Sequence, residues 1–221
     1  SIATGILTVS LLDHAPAFVT QTVNRVVERT IETVAAAAPA TIIQAPAPSN
    51  QDLVTAAIGA DAMRAVAIYS AENGTSTPAI TVGTFLPKTR AIATAALDAL
   101  PKEILVEFTN GSFVPASLAH EGRGIAIYGF ADSAVLPKMS SPVLVPASDL
   151  KLGETVLALG SDGSASTGII ARVSNKGIQT TLPNNGTGSA AVDLSGNLVG
   201  ISGGETPGLL ISADKIISLL T

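Results

Sequence analysis

The stretch that decides the fold is Asn184–Ser202, with the sequence NNGTGSAAVDLSGNLVGIS. Its Gly-rich start predicts a tight turn, because glycine adopts backbone conformations that other residues avoid. Two apolar runs follow, separated by Leu-Ser-Gly-Asn, and such a pair predicts two antiparallel strands joined by a short turn. The stretch therefore predicts a loop, which contains Thr187, followed by a β-hairpin.

Short apolar runs separated by turn signals continue on both sides of this hairpin. The first half of the chain contains six of them: Arg64–Ser70, Ala79–Leu86, Ala91–Ala95, Ile104–Thr109, Phe113–Leu118 and Gly124–Phe130. The second half repeats the pattern in Val143–Val145, Thr155–Gly160, Gly168–Ser174, Gly177–Thr181, Ala190–Asp193, Asn197–Ser202 and Gly208–Ser212. Many short strands at regular spacing predict a sandwich or a barrel. About six in each half, with the Pro-containing connector Ala131–Pro142 between them, predict two packed β-barrels.

The N-terminal region has a different pattern. Ser1–Leu12 is apolar but too short to span a bilayer, so it is either the end of a membrane anchor or a segment packed on protein. An amphipathic helix is predicted to begin at Asp13, and its apolar stripe either self-associates or packs on the chain's own body. The Ala/Pro-rich stretch Ala35–Asn50 predicts a linker. Two short helices are expected beyond it, Asn50–Ala62, begun by Asn50, and Ala213–Leu220, begun by Asp214.

The amino-acid composition limits the kinds of core, partner and catalytic group that the chain can have. The chain has 221 residues, of which 47% are hydrophobic but only 3% aromatic, so Val, Ile, Leu and Ala must fill the core. The net charge is −5 and no basic block occurs, which argues against a nucleic-acid partner. The chain has no cysteine, which excludes disulfides, thiolate metal ligands and a Cys nucleophile. No cofactor motif and no His/Asp/Glu group at metal-ligand spacing is present, so we expect no cofactor and no metal.

Several stretches together resemble one family of enzymes. GETVLALGSDGSASTGIIARVSNKG resembles the start of the second barrel of HtrA/Deg-type serine proteases, which have the trypsin-like fold. AVDLSGNLVGISG resembles the hairpin after their nucleophile, and LLISADKIISLL the strand and helix that end their protease domain. VERTIETV, a Pro-containing linker and QDLVTAAI resemble the approach to that domain in membrane-anchored bacterial members. The resemblance covers residues 51–221 and includes no PDZ domain.

The resemblance implies where the three catalytic residues of such a protease would stand. The histidine follows a Thr-Ala-Ala-like run, and here the residue after Thr94–Ala96 is Leu97. The aspartate opens the strand that here begins Gly124-Ile-Ala-Ile, which places Gly124 there. Counted back from the hairpin, the serine position is Thr187; counted forward from Ile178, the count ends near Ser189. Because leucine accepts no proton, neither register leaves the usual base.

Two other residues, His120 and Asp98, have side chains that can act in catalysis. His120 is expected in a polar surface turn, and Asp98 is expected to point to solvent. A backbone oxyanion hole could persist around Asn185–Thr187, since it needs only N–H groups.

The sequence therefore predicts an all-β fold of two antiparallel six-stranded barrels, trypsin/chymotrypsin-like, with an N-terminal helical arm and a short C-terminal helix. Its predicted parts are residues 1–50 (arm and linker), 51–137 (first barrel) and 138–221 (second barrel and helix). We expect a catalytically inactive member of the family that binds an unknown protein or peptide. Its candidate peptide-binding residues flank the loop, with sheet edges expected at Gln179–Leu182 and Ser202–Glu205; they are Gln179, Thr180, Asn185, Gly186, Ser202, Gly203 and Gly204.

By resemblance, the protein is a homo-oligomer, a trimer in many family members, on the outer side of a bacterial cytoplasmic membrane, with a membrane anchor before Ser1. Two alternatives remain: a serine- or threonine-type peptidase that uses Thr187 or Ser189, and a purely structural oligomeric surface protein.

Overall fold

The computed structural model of the protein describes residues 47–160 and 162–221. The predicted apolar start, the amphipathic helix and most of the Ala/Pro linker lie outside these residues, so the expectations for them stay predictions. Within the described ranges, neither helix combines the length and the hydropathy that a membrane crossing needs.

Helix α1, Asn50–Arg64, precedes the first barrel. The predicted cap at Asn50 is wrong, because the residue that caps the helix is Ser49. The Ser49 hydroxyl accepts a hydrogen bond from the Asp52 backbone N–H, and the Asp52 carboxylate accepts one from the Ser49 N–H. This reciprocal pair satisfies two backbone donors that the first turn leaves without helical partners. Along α1 the buried residues Ala57, Asp61 and Arg64 follow one another at helical spacing and face the barrels.

Twelve strands form two closed antiparallel barrels, which confirms the predicted fold class. The first barrel has the order β1-β2-β3-β6-β5-β4 and the second the order β10-β11-β12-β9-β8-β7. The strands of the first barrel are β1 Ala65–Ser70, β2 Thr81–Leu86, β3 Ala91–Ala95, β4 Glu103–Phe108, β5 Phe113–Gly122 and β6 Ile125–Gly129. Those of the second are β7 Thr155–Leu159, β8 Ala165–Ser174, β9 Gly177–Thr180, β10 Ala190–Asp193, β11 Leu198–Ser202 and β12 Leu209–Ser212. Helix α2, Ala213–Leu220, ends the chain as predicted, although its N-cap is Ser212.

Two strand predictions need correction. Val143–Val145 is not a strand, because Leu144 makes only an isolated bridge to Leu198. Strand β5 runs four residues beyond the predicted Leu118, through a bulge between Leu118 and His120. A bulge adds one residue without ending the pairing, so polar residues continue the strand where a turn was expected.

The two barrels differ in how their cores are filled. The first contains most of the aromatic residues, and Phe85 packs edge-on against Phe108 with ring centroids 5.2 Å apart. The core of the second is aliphatic, built around Val156, Ile170 and Ile178. A third apolar cluster joins the barrels to each other and to both helices; it contains Ala57, Leu86, Ala91, Ala93, Ala95, Ile125, Ile127, Leu157, Ala190, Val192, Leu198, Ile201 and Ile216. We call this cluster the seam, and the loop of Asn184–Ser189 lies beside it.

Candidate functional site

The positions predicted for the histidine and the aspartate are neighbours at the end of the first barrel. Ala95 of β3 pairs with Ile125 of β6, and the next backbone contact is a 2.9 Å hydrogen bond from Ala96 N–H to the Gly124 carbonyl. Leu97 follows directly. Ala96 and Gly124 line a cavity of about 220 Å³, whose opposite wall includes Gly203 of the second barrel. This cavity, which we call the cleft cavity, therefore lies between the barrels; Gly124 lines it, whereas Leu97 and Thr187 are not among its lining residues.

The loop before the second-barrel hairpin is attached to the first barrel. The Thr81 hydroxyl donates a 2.7 Å hydrogen bond to the Thr187 carbonyl. Gly188, with φ of 84°, comes so close to β2 and β3 that a Cβ there would overlap the Val82 carbonyl oxygen and lie 2.5 Å from Thr94 Oγ1. Only glycine fits that approach without displacing backbone. The loop thus bridges the two barrels.

The Thr187 side chain is covered by the segment after β11. A Cβ placed on Gly204 would overlap Thr187 Oγ1 and lie 2.9 Å from Thr187 Cβ, so this segment packs directly on the threonine. The Gly188 N–H also donates a 2.8 Å hydrogen bond to the Ser202 carbonyl. The hydroxyl at the position that the resemblance assigns to the nucleophile therefore contacts the neighbouring segment of its own chain.

The rival position, Ser189, faces elsewhere. Its side chain is only 3% exposed, and its hydroxyl donates a 2.5 Å hydrogen bond to the Asn185 carbonyl. It lines a small cavity of about 30 Å³ together with Asp61 of α1. Thr187 and Ser189 therefore face different spaces, and of the two only Thr187 packs against the segment that borders the cleft cavity.

The backbone N–H groups expected to form an oxyanion hole are partly engaged. Gly186 N–H donates to Asn184 Oδ1 at 3.1 Å, an interaction that stabilises the turn. Asn185 is buried, and its side-chain oxygen accepts a 3.0 Å hydrogen bond from the Ser166 hydroxyl. The Asn184 side chain thus engages one of the three N–H groups in the predicted range, that of Gly186.

The expected free edge at Gln179–Thr180 is wrong. These residues belong to β9, which pairs with β12 on one side and β8 on the other, because the second barrel is closed. Ser202 is also paired, since its N–H donates to the Ser189 carbonyl and its carbonyl accepts from Gly188. Of the two predicted edges, only Gly203–Glu205 lies beyond the barrel pairing, and both of its end residues line the cleft cavity.

The other candidate residues stand on the surface. Of the chain's two histidines, only His120 lies in the described residues; it is exposed on β5 and not in the predicted turn. Asp98 is exposed, as expected.

Sequence reasoning missed Asp61, which is 3% exposed. Burial, only partly opposed by the charge of Arg64, raises the pKa of Asp61 to about 7 from 3.8. The guanidinium of Arg64 donates instead to the Gly196 carbonyl at 2.8 Å. The signal that could have revealed Asp61 is its position four residues after Ala57, on the apolar face of the helix.

No protein-family model matches the sequence, and no curated protein does. Solved structures do match in fold. One of them is described as the HtrA-type protease AlgW with a tripeptide; it aligns with a TM-score of 0.59 and 20% sequence identity over 77% of this chain. The alignment spans 62% of the length of the AlgW chain. Together with the two six-stranded barrels, this match shows that the chain has the trypsin-like fold of HtrA-type proteases.

Proposed function

We propose that the protein is a trypsin-like pseudoprotease that binds a protein or peptide partner without cleaving it. The observation that supports this proposal is the hydrogen bond between Ala96 and Gly124, because it lies beside the two positions that the resemblance assigns to the histidine and the aspartate. Here those positions carry Leu97 and Gly124. Neither side chain can take a proton from a hydroxyl.

The chemistry explains why this matters. A serine or threonine hydroxyl is a weak nucleophile until a positioned base removes its proton, and a third group holds that base in the correct tautomer. At Thr187 the hydroxyl also packs against Gly204. Thr187 is half-buried beside that segment, which restricts the approach of a carbonyl carbon. These features support binding without turnover.

The cleft cavity is the proposed binding site. Its walls are small or apolar at Ala95, Ala96 and Gly203, with Lys176 and Glu205 among its polar residues. A peptide in extended conformation can add backbone hydrogen bonds to the segment Gly203–Glu205, in the way that peptides extend sheet edges. One apolar side chain of the peptide would fill the cavity.

We also propose, from the resemblance alone, that the protein is a membrane-anchored homo-oligomer of the bacterial cell envelope. The mass in solution with and without residues 1–35 decides whether the arm drives association; a monomer in both cases contradicts it.

We expect no labelling by a serine-directed fluorophosphonate under conditions that label trypsin to completion. The reason is the lack of a base beside Thr187. The measurement is intact-protein mass after incubation. Adduct formation that disappears in Thr187→Ala or in Ser189→Ala would overturn the proposal and establish a peptidase with that nucleophile.

We expect peptides selected from a random library against the native protein to bind Ala96→Leu at least tenfold more weakly. The longer side chain would fill the cleft cavity, which Ala96 lines. Ala99→Leu is the matched control, because Ala99 is exposed in the same loop. Kd values are measured by fluorescence anisotropy. Equal binding to both variants, or a library that yields no binder, contradicts a peptide site in the cleft.

A further inference from the structure

A second and larger cavity lies on another part of the molecule, where α1 meets both barrels. Its volume is about 410 Å³, within the range of small-molecule sites. Its lining is mostly apolar and comes from the end of α1, from β1 and β2, from the β4–β5 hairpin and from the end of β7; it includes Ala62, Val66, Ala67, Val82, Phe108 and Leu159. We call it the helix cavity. It does not share a lining residue with the cleft cavity.

A small buried cavity of about 30 Å³ adjoins the helix cavity. The two cavities share Ala65, Val82, Leu159 and Gly160 in their linings, so they adjoin each other at these residues. The volume suits one water molecule or a group of similar size. At its far side are Asp61 and Ser189. Two polar groups thus lie next to the helix cavity, beyond the shared residues.

The two polar groups of the small cavity, Asp61 and Ser189, act as hydrogen-bond acceptors. Asp61 is only 3% exposed. No side-chain hydrogen bond joins its carboxylate to another residue that the structure describes. Arg64, one turn along α1, directs its guanidinium to the Gly196 carbonyl. The Ser189 hydroxyl already donates its hydrogen to Asn185 and can only accept another. The charge of Arg64 offsets the burial of the Asp61 carboxylate only in part, so a ligand that supplies charged N–H groups would stabilise its ionised form.

We propose that the helix cavity binds a primary alkylamine, with the ammonium group in the small cavity beside Asp61 and the apolar chain among Ala65, Val82 and Leu159. An ammonium has three donors and about the size of a water molecule, and its charge complements a carboxylate. A neutral alcohol offers one donor and no charge. A carboxylate would meet like charge. A free amine and a lysine side chain present the same chemistry, and both fit this description.

The proposal implies that binding depends on pH. An ammonium needs Asp61 ionised, and burial raises the pKa of Asp61 to about 7. Affinity therefore rises with pH through this range, until the amine itself loses its proton. Arg64 is the charged group nearest in sequence on α1, and among the described residues the lining from β2, β7 and the loop contributes no titratable group. Glu107, on β4, stands at the wall of the larger cavity, where Tyr69 donates to it at 2.7 Å.

The test is a titration of the full chain with butylamine, butanol and butyrate, monitored by two-dimensional NMR. Butylamine is expected to shift the signals of Ala65, Val82 and Leu159 and to bind at least tenfold more tightly at pH 8.5 than at pH 5.5. At pH 8.5 the affinity for butylamine should exceed the affinity for butanol by the same factor. A peptide with one internal lysine is the second probe; if it matches butylamine, a lysine side chain is the favoured source of the amine.

Two variants separate the acceptor from the cavity. Asp61→Asn keeps the shape and removes the charge, so it should lose at least tenfold of the butylamine affinity. Asp98→Asn is the matched control, because Asp98 is exposed and lines neither cavity, and it should keep at least half of the butylamine affinity. If butanol binds as well as butylamine, if Asp61→Asn leaves the affinity unchanged, or if no probe shifts these signals, the amine site is wrong.

Discussion

Asp61→Asn is expected to stabilise the protein at pH 8 by about 4 kcal/mol more than it does at pH 4. The folded-state pKa of Asp61 is raised to about 7 from 3.8, a difference of about three units, and each unit corresponds to about 1.4 kcal/mol. The folded state holds the proton of Asp61 more tightly than the unfolded chain does. The contribution of this proton to wild-type stability is therefore fully present below pH 3.8. The free energy of unfolding of the wild type then falls as pH rises and levels off above about pH 7.

The measurement is urea unfolding of both proteins at pH 4, 6 and 8, with the difference between them taken at each pH so that other titrations cancel. Asn cannot ionise, and its amide is about as costly to bury as a protonated carboxyl. Asp98→Asn is the matched control, since Asp98 is exposed, and it should change stability by less than about 0.5 kcal/mol at every pH. A stability difference between wild type and Asp61→Asn that does not widen between pH 4 and pH 8 would show that Asp61 is already well compensated.

The barrels could be predicted from the sequence because their signals are local. Alternating apolar residues and turn residues such as Asn110-Gly111 act within a few positions, and the strands appear within one to four residues of the predicted bounds. The errors at Ser49 and in β5 have equally local causes. A capping residue is defined by one hydrogen bond, and a bulge lets a strand continue past a break in alternation.

The sequence could not show what barrel closure does to the site. The sequence predicts an edge at Gln179 because the segment lies beside the loop, yet β12, thirty residues further on, pairs with it. The contact of Gly204 with Thr187 likewise joins two loops that pass over each other only in three dimensions. Asp61 was missed for the same reason: the helical spacing was visible, but the barrel walls that bury it come from β2, β7 and the loop.

Gly188→Ala is expected to destabilise the protein by about 4 kcal/mol or to prevent folding. Alanine at a φ of 84° costs about 1–2 kcal/mol by itself. The added methyl would also overlap the Val82 carbonyl oxygen and stand 2.5 Å from Thr94 Oγ1 and 2.9 Å from Thr81 Oγ1. The loop must then move away from the first barrel, and the hydrogen bonds from Thr81 to the Thr187 carbonyl and from Gly188 to Ser202 would break. Each such bond contributes about 1 kcal/mol.

Gly153→Ala separates the contact from the backbone conformation. Gly153 has nearly the same φ, 83°, but no atom lies within 4 Å of the place where its Cβ would be. Gly153→Ala should therefore lower the free energy of unfolding only by the cost of the backbone conformation, about 1–2 kcal/mol, as measured by urea unfolding. The excess of Gly188→Ala over Gly153→Ala measures how tightly the loop is held between the barrels. An equal cost for both would mean that the loop yields easily. In that case the packing of Gly204 on Thr187 would be no barrier to a substrate, and the lack of a base at Leu97 and Gly124 would be the whole argument for inactivity.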